Sequence, residues 1–242
     1  MFKLEIIGFN IESCSIAQSA GAARIELCDN AAEGGTTPSY GYIKKAREIL
    51  YTELFPIIRP RGGDFLYSDE EFEMMKTDVL LCKQLGCDGI VTGMLQRDGS
   101  IDKIRCSKLI SLAYPMGVTF HRAFDRCNDP FKSLEDIIDT GCERILTSGQ
   151  QPAAVQGAGL IQQLAEQADG RIIIMPGSGI NSSNIKEIAI RTGATEFHAS
   201  VKTIAASRMQ YVNPSMKEQP ASITADANEI KEMVIQLQHL QE

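Results

Sequence analysis

Glutamates and histidines inside short apolar runs are the residues of this sequence best suited to chemistry. Glu5 and Glu26 each lie among apolar neighbours, and His121 and His198 stand near the ends of two later apolar runs. An isolated buried charge is very costly, so such groups must pair or shift their pKa values. A carboxylate and an imidazole that meet in such a space can exchange protons near neutral pH. We therefore interpret Glu26, Glu5, His121 and the nearby Asp125 as candidate catalytic residues.

Guanidinium groups and a glycine-rich turn predict a binding site for an anionic substrate. Arg59 and Arg61 follow an apolar run, and guanidinium groups grip carboxylates and phosphates. The Gly-Ser-Gly turn at 177–179 also follows an apolar run, where backbone N–H groups and a helix N-terminus can hold phosphate. The candidate substrate-binding residues are Arg59, Arg61, Arg122, Thr147, Ser148, Gly177, Ser178, Gly179 and His198.

The same charges also have a purely structural interpretation. Glu5 and Glu26 would then be buried partners of Arg24, Arg59 or Arg122 and would stabilise the fold without any turnover. Ion-pair networks perturb titration as active sites do. The sequence leaves both interpretations open.

The cysteines predict a reduced protein in which one thiol is a candidate metal ligand. There are seven, an odd number, and no CxxC pair occurs among them. A cytoplasmic protein is the simplest reading of this pattern. Cys28 with a neighbouring histidine or second cysteine would suit Cu(I), whereas Glu26, Glu5 and His121 would suit a harder divalent ion.

The elements that must position these residues alternate between strand-like and helical patterns. Eight apolar runs, at 4–8, 24–28, 54–59, 89–93, 117–122, 144–148, 171–176 and 195–200, are each followed by a helical stretch. This alternation predicts parallel strands with right-handed crossovers, either in a closed barrel or in an open doubly wound sheet. Eight units favour a single (β/α)8 TIM barrel, whose strand ends converge on one face.

The chain length fits one such barrel, with 1–242 as a single domain. Four glycines, Gly21, Gly86, Gly141 and Gly193, each stand between a predicted helix and a predicted strand, as C-cap glycines do. Residues 207–224 lack periodicity and contain two prolines, so we predict a long loop after strand eight, either a lid over the strand ends or disordered. A C-terminal helix is predicted at 226–240.

Composition argues against several classes of partner. The net charge is −7 and the basic residues are scattered, which does not fit a nucleic-acid-binding protein. No run approaches about 18 consecutive apolar residues, which argues against a membrane span. Residues 1–8 alternate charged and apolar positions and do not resemble a signal peptide.

Six short strings, taken together, resemble one known family. They are RIELC at 24–28, EGGTTPS at 33–39, RPRGGDF at 59–65, VTG at 91–93, TFHRAFD at 119–125 and LTSGQ at 146–150. Their order and spacing are similar to those of the CutC family, called copper homeostasis proteins. The resemblance extends from the first strand to about Met209.

The resemblance implies a cytoplasmic β/α barrel, usually a homo-oligomer, that takes part in copper homeostasis. In some members it implies Cu(I) binding through two cysteines, one of which corresponds to Cys28. The other position, two residues after the first-strand glutamate, is Ile7 in this chain. The sequence thus departs from the family's two-thiol pattern.

Three functions remain open on the sequence. The first is copper handling through Cys28. The second is a barrel enzyme that uses Glu26 and His121 for proton transfer on a small polar or anionic, even phosphorylated, metabolite held by Arg59 and Arg61. The third is a binding or scaffold protein with a structural charged interior.

Overall fold

A computed structural model describes residues 2–217 and 221–240. Strands and helices alternate along the chain in this order: β1 Lys3–Gly8, α1 Ile11–Ser19, β2 Arg24–Leu27, α2 Tyr40–Ile49, β3 Glu53–Pro56, α3 Asp69–Gln84, β4 Gly89–Thr92, α4 Lys103–Ala113, β5 Gly117–Phe120, α5 Pro130–Thr140, β6 Arg144–Thr147, α6 Ala154–Ala168, β7 Ile173–Pro176, α7 Ile185–Thr192, β8 Glu196–Ala199, β9 Lys202–Ala205, β10 Ser222–Ala225 and α8 Ala227–Gln238. Short 3-10 helices occupy Ala31–Glu33 and Arg122–Arg126. None of these helices is both long and apolar enough to cross a membrane.

The first eight strands form the predicted parallel (β/α)8 barrel. Hydrogen bonds order them as β3-β2-β1-β8 and β4-β5-β6-β7. A parallel bridge between Ile57 and Val91 joins β3 to β4, and β7 lies beside β8. The two half-sheets therefore close on each other, which excludes the open doubly wound sheet.

Local sequence signals explain where helices begin and end. Ser68 and Glu71 form a reciprocal capping box at the start of α3, and three acids in its first turn favour the positive helix end. Gly141 and Gly193 end α5 and α7 in the left-handed conformation, which glycine adopts without a steric penalty. The four glycines predicted to follow helices all have positive φ.

A buried ion network fills the amino-terminal part of the barrel interior. The Arg24 guanidinium is fully buried, and it donates to Glu5 from Nε at 2.5 Å and to Glu196 from Nη2 at 2.6 Å. Arg144 donates to the same Glu196 oxygen at 3.2 Å. Both guanidinium groups lie over the Phe55 ring, at 5.1 and 5.4 Å. This network links β1, β2, β3, β6 and β8 across the centre of the barrel.

The segment after β8 differs from the sequence prediction. Residues 222–224 were predicted as loop, but they belong to β10, which pairs antiparallel with β9. Each strand is only four residues long, and β9 lacks alternation of apolar and polar residues, so periodicity gives a weak signal for this pair. The predicted loop at 207–224 therefore ends before Ser222, and three of its residues, 218–220, lie outside the described part of the chain.

This hairpin is attached to the carboxyl-terminal face of the barrel. Asn10, immediately after β1, donates from Nδ2 to the carbonyl of Ile223 at 2.5 Å. Asp226 N donates to the carbonyl of Val201, which closes the base of the hairpin. Closure over the strand ends remains a prediction from the sequence.

Replacing the central guanidinium should strongly destabilise the fold. Arg24→Gln removes the arginine partner of buried Glu5 and leaves buried Glu196 with Arg144 alone, so we expect a loss of about 3–5 kcal/mol in the free energy of unfolding. Arg171→Gln is the matched control, because Arg171 pairs with Glu135 on the exposed surface and should matter little. Urea unfolding of both variants measures this, and equal effects would contradict the assigned role of the network.

Candidate functional site

Two carboxylates and one imidazole meet inside the barrel at the centre of β1, β2 and β8. Glu5 is in register with Arg24 and with His198, which brings the side chains of three neighbouring strands together. His198 Nδ1 lies 2.7 Å from Glu5 Oε1, and its Nε2 lies 3.7 Å from Glu26 Oε2. All three residues are buried. We call Glu5, Glu26 and His198 the acid–imidazole cluster.

The three groups of the cluster titrate very differently. Burial alone would raise the pKa of Glu5, but the charge of Arg24 and the hydrogen bond with His198 lower it to about 2. Burial raises the pKa of Glu26 to about 7, because the nearby positive charges do not offset the loss of solvation. Burial would lower the pKa of His198, but its hydrogen bond to Glu5 and the charges of both glutamates raise it. Glu26 therefore changes protonation state near neutral pH, and the His198 ring is shifted toward its protonated form.

The cluster can carry out acid–base chemistry. Glu5 stays ionised and fixes the His198 ring through Nδ1, so that Nε2 faces Glu26. A carboxyl group whose pKa is near the working pH is well suited to giving and taking a proton. The two glutamates thus have different roles: Glu5 positions the imidazole, and Glu26 gains and loses a proton.

Cys28 continues the same face of β2 beyond Glu26. Its side chain is fully buried and packs with Ile7, Phe55, Ile57 and Val91. Burial, with a further contribution from the Glu26 charge, raises the pKa of the Cys28 thiol well above its ordinary range. The thiol is therefore protonated at neutral pH, and a thiol ligates metal only after it loses this proton.

A glycine loop closes the space above this thiol. A Cβ on Gly35 would stand 3.1 Å from the Cys28 Sγ, so the backbone of the loop approaches the sulfur closely. Gly35 also has φ of +100°, which side chains rarely adopt. Both observations explain the glycine at this position.

The donor set of the interior suits a hard or borderline ion better than Cu(I). One donor atom each from Glu5, Glu26 and His198 lies within 4.8 Å of the others, and all three residues are buried. Carboxylates and imidazole favour divalent ions, whereas Cu(I) favours soft thiolates. His198 takes the place in this set that the sequence assigned to His121.

His121 lies apart from the cluster, behind the loop that follows β3. Its Nδ1 accepts a hydrogen bond from Ala123 N at 3.2 Å, and its ring packs against Phe65 at 4.9 Å. Burial, aided by the charge of Arg59, lowers the pKa of His121 to about 3, so the ring is neutral. Its Nε2 is buried and has no hydrogen-bond partner among the described residues.

Arg59 joins two glycine loops. Its guanidinium donates to the carbonyls of Glu33 and Gly35 at 2.7 Å each and to that of Gly63 at 3.0 Å. Arg61 instead pairs with Glu71 and Asp64 near the start of α3. The two arginines therefore point to different partners, and neither contacts the acid–imidazole cluster.

Asp125 organises the loop after β6. Its carboxylate accepts from Thr147 Oγ1 at 2.6 Å, from Ser148 N and Oγ at 3.0 Å each and from Gln150 N at 3.1 Å. Arg122 donates to the same carboxylate at 2.8 Å and to Ser148 Oγ. The structure thus brings together four of the predicted site residues, with their polar groups directed to one another.

The Gly177–Ser178–Gly179 turn is held by its neighbours. Gly177 lies against Leu146 and His198, where a Cβ would come within 2.4 Å of Leu146 Cδ1. Ser178 donates from Oγ to the carbonyl of Pro152 at 2.8 Å. Helix α7 begins only at Ile185, because Asn181 Oδ1 accepts from Ser183 N and Asn184 Oδ1 accepts from Asn181 N in the turn before it. The turn therefore does not open directly into a helix N-terminus.

Comparison with known sequences identifies the family of this barrel. The profile described as the CutC family matches residues 2–203. The chain belongs to the CutC family. A CutC family protein from Chromobacterium violaceum is 52% identical over 208 residues, which cover 86% of this chain and 84% of that protein. The human copper homeostasis protein cutC homolog is 47% identical over 215 residues, covering 89% and 79% of the two chains.

Solved structures support the same fold. The crystal structure of the CutC protein from Streptococcus agalactiae superposes with a TM-score of 0.79 at 35% identity and covers 83% of this chain and 99% of its own. A phosphoribosylanthranilate isomerase from Thermotoga maritima superposes with a TM-score of 0.62 at 12% identity, covering 99% of this chain and all of its own. The second similarity shows the fold alone.

Sequence reasoning missed two features of this CutC barrel. It named Arg24 only as one of three possible partners for the buried glutamates, and it did not name Arg144. Both arginines are the first residues of their strands. Charged residues at the first position of an otherwise apolar strand were the available signal.

Replacing Glu26 should change how stability depends on pH. The pKa of Glu26 is about 7 in the folded chain, against an ordinary value of 4.5. Between these values the folded state binds a proton that the unfolded state lacks, so this contribution to stability falls as pH rises. Glu26→Gln has no such proton and should gain roughly 3 kcal/mol relative to wild type between pH 4.5 and pH 8.

Urea unfolding at several pH values measures this difference. His198 is present in both proteins, and its raised pKa lowers the stability of each as pH rises through the folded value. Glu166→Gln, on the exposed face of α6, is the control and should follow the wild-type curve. Parallel curves for wild type and Glu26→Gln would show that Glu26 is not held protonated.

Proposed function

We propose that this protein takes part in copper homeostasis through acid–base chemistry at the acid–imidazole cluster. The role follows the names of its relatives, which include copper homeostasis proteins. The observation that carries the chemistry is the Glu26–His198 pair, 3.7 Å apart, with a Glu26 pKa of about 7. The substrate is a small polar or anionic metabolite, of which phosphorylated compounds are one class.

Each residue of the cluster has a defined task in this proposal. Glu26 gives a proton to the substrate or takes one from it, and His198 shares that proton through Nε2. Glu5 is a positioning residue, because it acts by holding the imidazole. Arg24 keeps Glu5 ionised, so the ion network below the cluster sets the proton balance above it.

The other predicted site residues contribute to the proposed function by shaping the loops around the cluster. Arg59 and Arg61 shape the glycine loops at the mouth of the barrel, and Arg122, Asp125, Thr147 and Ser148 shape the loop after β6. His121 is a neutral hydrogen-bond donor rather than a proton carrier, because its pKa is about 3. Gly177 allows the seventh loop to pass close to His198, and Gly179 lies against Ala153.

Complementation of a copper-sensitive strain that lacks its own CutC protein tests the proposal. Wild type should restore copper tolerance, whereas Glu26→Gln and His198→Asn should not, although both fold. Cys28→Ser should restore tolerance as wild type does. Full rescue by Glu26→Gln, at equal protein level and melting temperature, would reject acid–base chemistry as the basis of the role.

Direct Cu(I) binding through Cys28 is a second candidate, supported by the packing of positions 7 and 28 in one interior cluster. With Ile7 present, the single protonated thiol should bind Cu(I) weakly. Ile7→Cys would place a second thiol beside the first, and we expect it to raise the Cu(I) affinity by at least about tenfold, since two soft ligands replace one.

Anaerobic competition with a chromogenic Cu(I) chelator measures these affinities. The matched control is Ile57→Val, which changes another member of the same cluster without adding a thiol. Tight stoichiometric binding by wild type that Cys28→Ser abolishes would instead put the thiol at the centre of function. Such a result would also show that Ile7 does not disable copper binding.

We also infer a cytoplasmic homo-oligomer. The free cysteines fit a reducing compartment. The segment around β9 and the loop after it exposes more than half of the side chains of Ile204, Met209, Tyr211 and Val212. Exposed apolar groups of this kind mark interaction surfaces. Ile204→Asp with Tyr211→Asp should convert the oligomer to monomer in light scattering, and an unchanged mass would exclude this surface.

A further inference from the structure

A cleft opens at the carboxyl ends of β3, β4 and β5, away from the acid–imidazole cluster. Its volume is about 460 Å³. Clefts that bind small molecules typically measure about 300–1,000 Å³. Loop 63–66 forms one wall, loop 95–99 forms another, and Arg126 completes the lining. The carboxyl-terminal face is also where barrels of this type place their ligands.

Backbone hydrogen bonds hold the walls of this cleft in place. Leu95 N donates to the carbonyl of Phe65 at 2.9 Å, which joins the first two loops. Asn128 donates from its backbone N to the carbonyl of Gly99 and from Nδ2 to that of Asp98. The cleft is thus a fixed feature of three connected loops.

Arginines without carboxylate partners surround the cleft. Arg97 and Arg126 are exposed, and neither forms a hydrogen bond or ion pair through its guanidinium with any described residue. Arg59 lies behind the Phe65 ring, 5.0 Å from its centroid, and its hydrogen-bond partners are carbonyls. Two positive charges without carboxylate partners therefore face one small space, with a third behind its Phe65 wall, in a protein whose net charge is −7.

The nearby carboxylates are already engaged elsewhere. Asp64 accepts from Arg61 Nη2 at 3.0 Å and from Leu66 N at 3.2 Å. Asp98 accepts from the N and Oγ of Ser100 at 2.9 and 2.7 Å. Neither of these contacts neutralises Arg97 or Arg126.

The floor of the cleft is apolar, with unsatisfied donors behind it. Phe65, Leu66 and Leu95 supply the apolar surface. Behind Phe65, His121 Nε2 and Arg59 Nε are buried without a hydrogen-bond partner among the described residues. Buried donors left unpaired are costly, and each requires an explanation such as a functional role or an ordered water or ion.

We propose that this cleft binds a small organic dianion whose anionic group pairs with Arg97 and Arg126 and whose apolar body packs on Phe65. Phosphate monoesters and dicarboxylates share this chemistry, because guanidinium groups bind both in a bidentate manner. The assignment does not rest on the proposed acid–base function. It differs from the sequence prediction, which gave the anion to Arg59 and Arg61.

Isothermal titration with phenyl phosphate, phthalate and neutral benzamide tests the proposal. Both dianions should bind wild type, with the tighter one identifying the preferred headgroup, and benzamide should bind at least about tenfold more weakly. Arg97→Gln and Arg126→Gln should each weaken dianion binding by about tenfold. Arg191→Gln, an exposed arginine on α7, is the control and should bind as wild type does.

Three results would overturn the proposal. They are no heat from either dianion at millimolar concentration, equal binding of benzamide, or binding that both cleft variants retain. Glu26→Gln separates this proposal from the acid–base function, since it leaves the cleft intact and should bind phenyl phosphate normally. If the Glu26→Gln protein binds the dianions and also restores copper tolerance, the acid–base function is rejected. The proposal that the cleft binds a dianion would then still stand.

Discussion

The structure depends on one fully buried guanidinium between two carboxylates. Arg24 donates to Glu5 and Glu196, and Arg144 supplies a second positive charge to Glu196. Buried charges of this kind are tolerated only when geometry and hydrogen bonds compensate for lost solvation. The hydrogen bonds of this network replace the water that the buried charges have lost. Because the partners come from β1, β2, β6 and β8, the same bonds also hold opposite sides of the barrel together.

The network gives the two interior glutamates different chemistry. Glu5 contacts Arg24 directly and is ionised, whereas Glu26 stands one layer higher and receives less of that positive charge. Two identical side chains on neighbouring strands therefore titrate about five units apart, at about 2 and about 7. Environments that push like groups apart in this way characterise acid–base sites. The difference arises from their height in the barrel.

Strand periodicity predicted which polar side chains face inward, but not their partners. Glu5, Glu26 and His198 share inward positions because alternate strand residues point to one side, and the barrel follows from the repeated strand–helix pattern. That His198 rather than His121 joins the glutamates depends on β8 pairing with β1, a contact between residues 193 positions apart. The roles of Arg59 and Arg61 depend on the conformations of the loops around them. Their partners include backbone carbonyls, which are present at every residue and so leave no signal in the sequence.

The residue at position 7 determines whether the layer of the barrel interior around Cys28 is apolar or able to bind a soft metal ion. Ile7 and Cys28 pack in one apolar cluster above the acid–imidazole cluster. A second thiol at position 7 would make this layer soft and able to share a Cu(I) ion, since paired thiols lose their protons to a bound metal. With isoleucine, the layer is an apolar cap that raises the pKa of the Cys28 thiol and helps to exclude water from Glu26. Ile7 thus offers no ligand to a metal and adds to the desolvation on which the Glu26 proton depends.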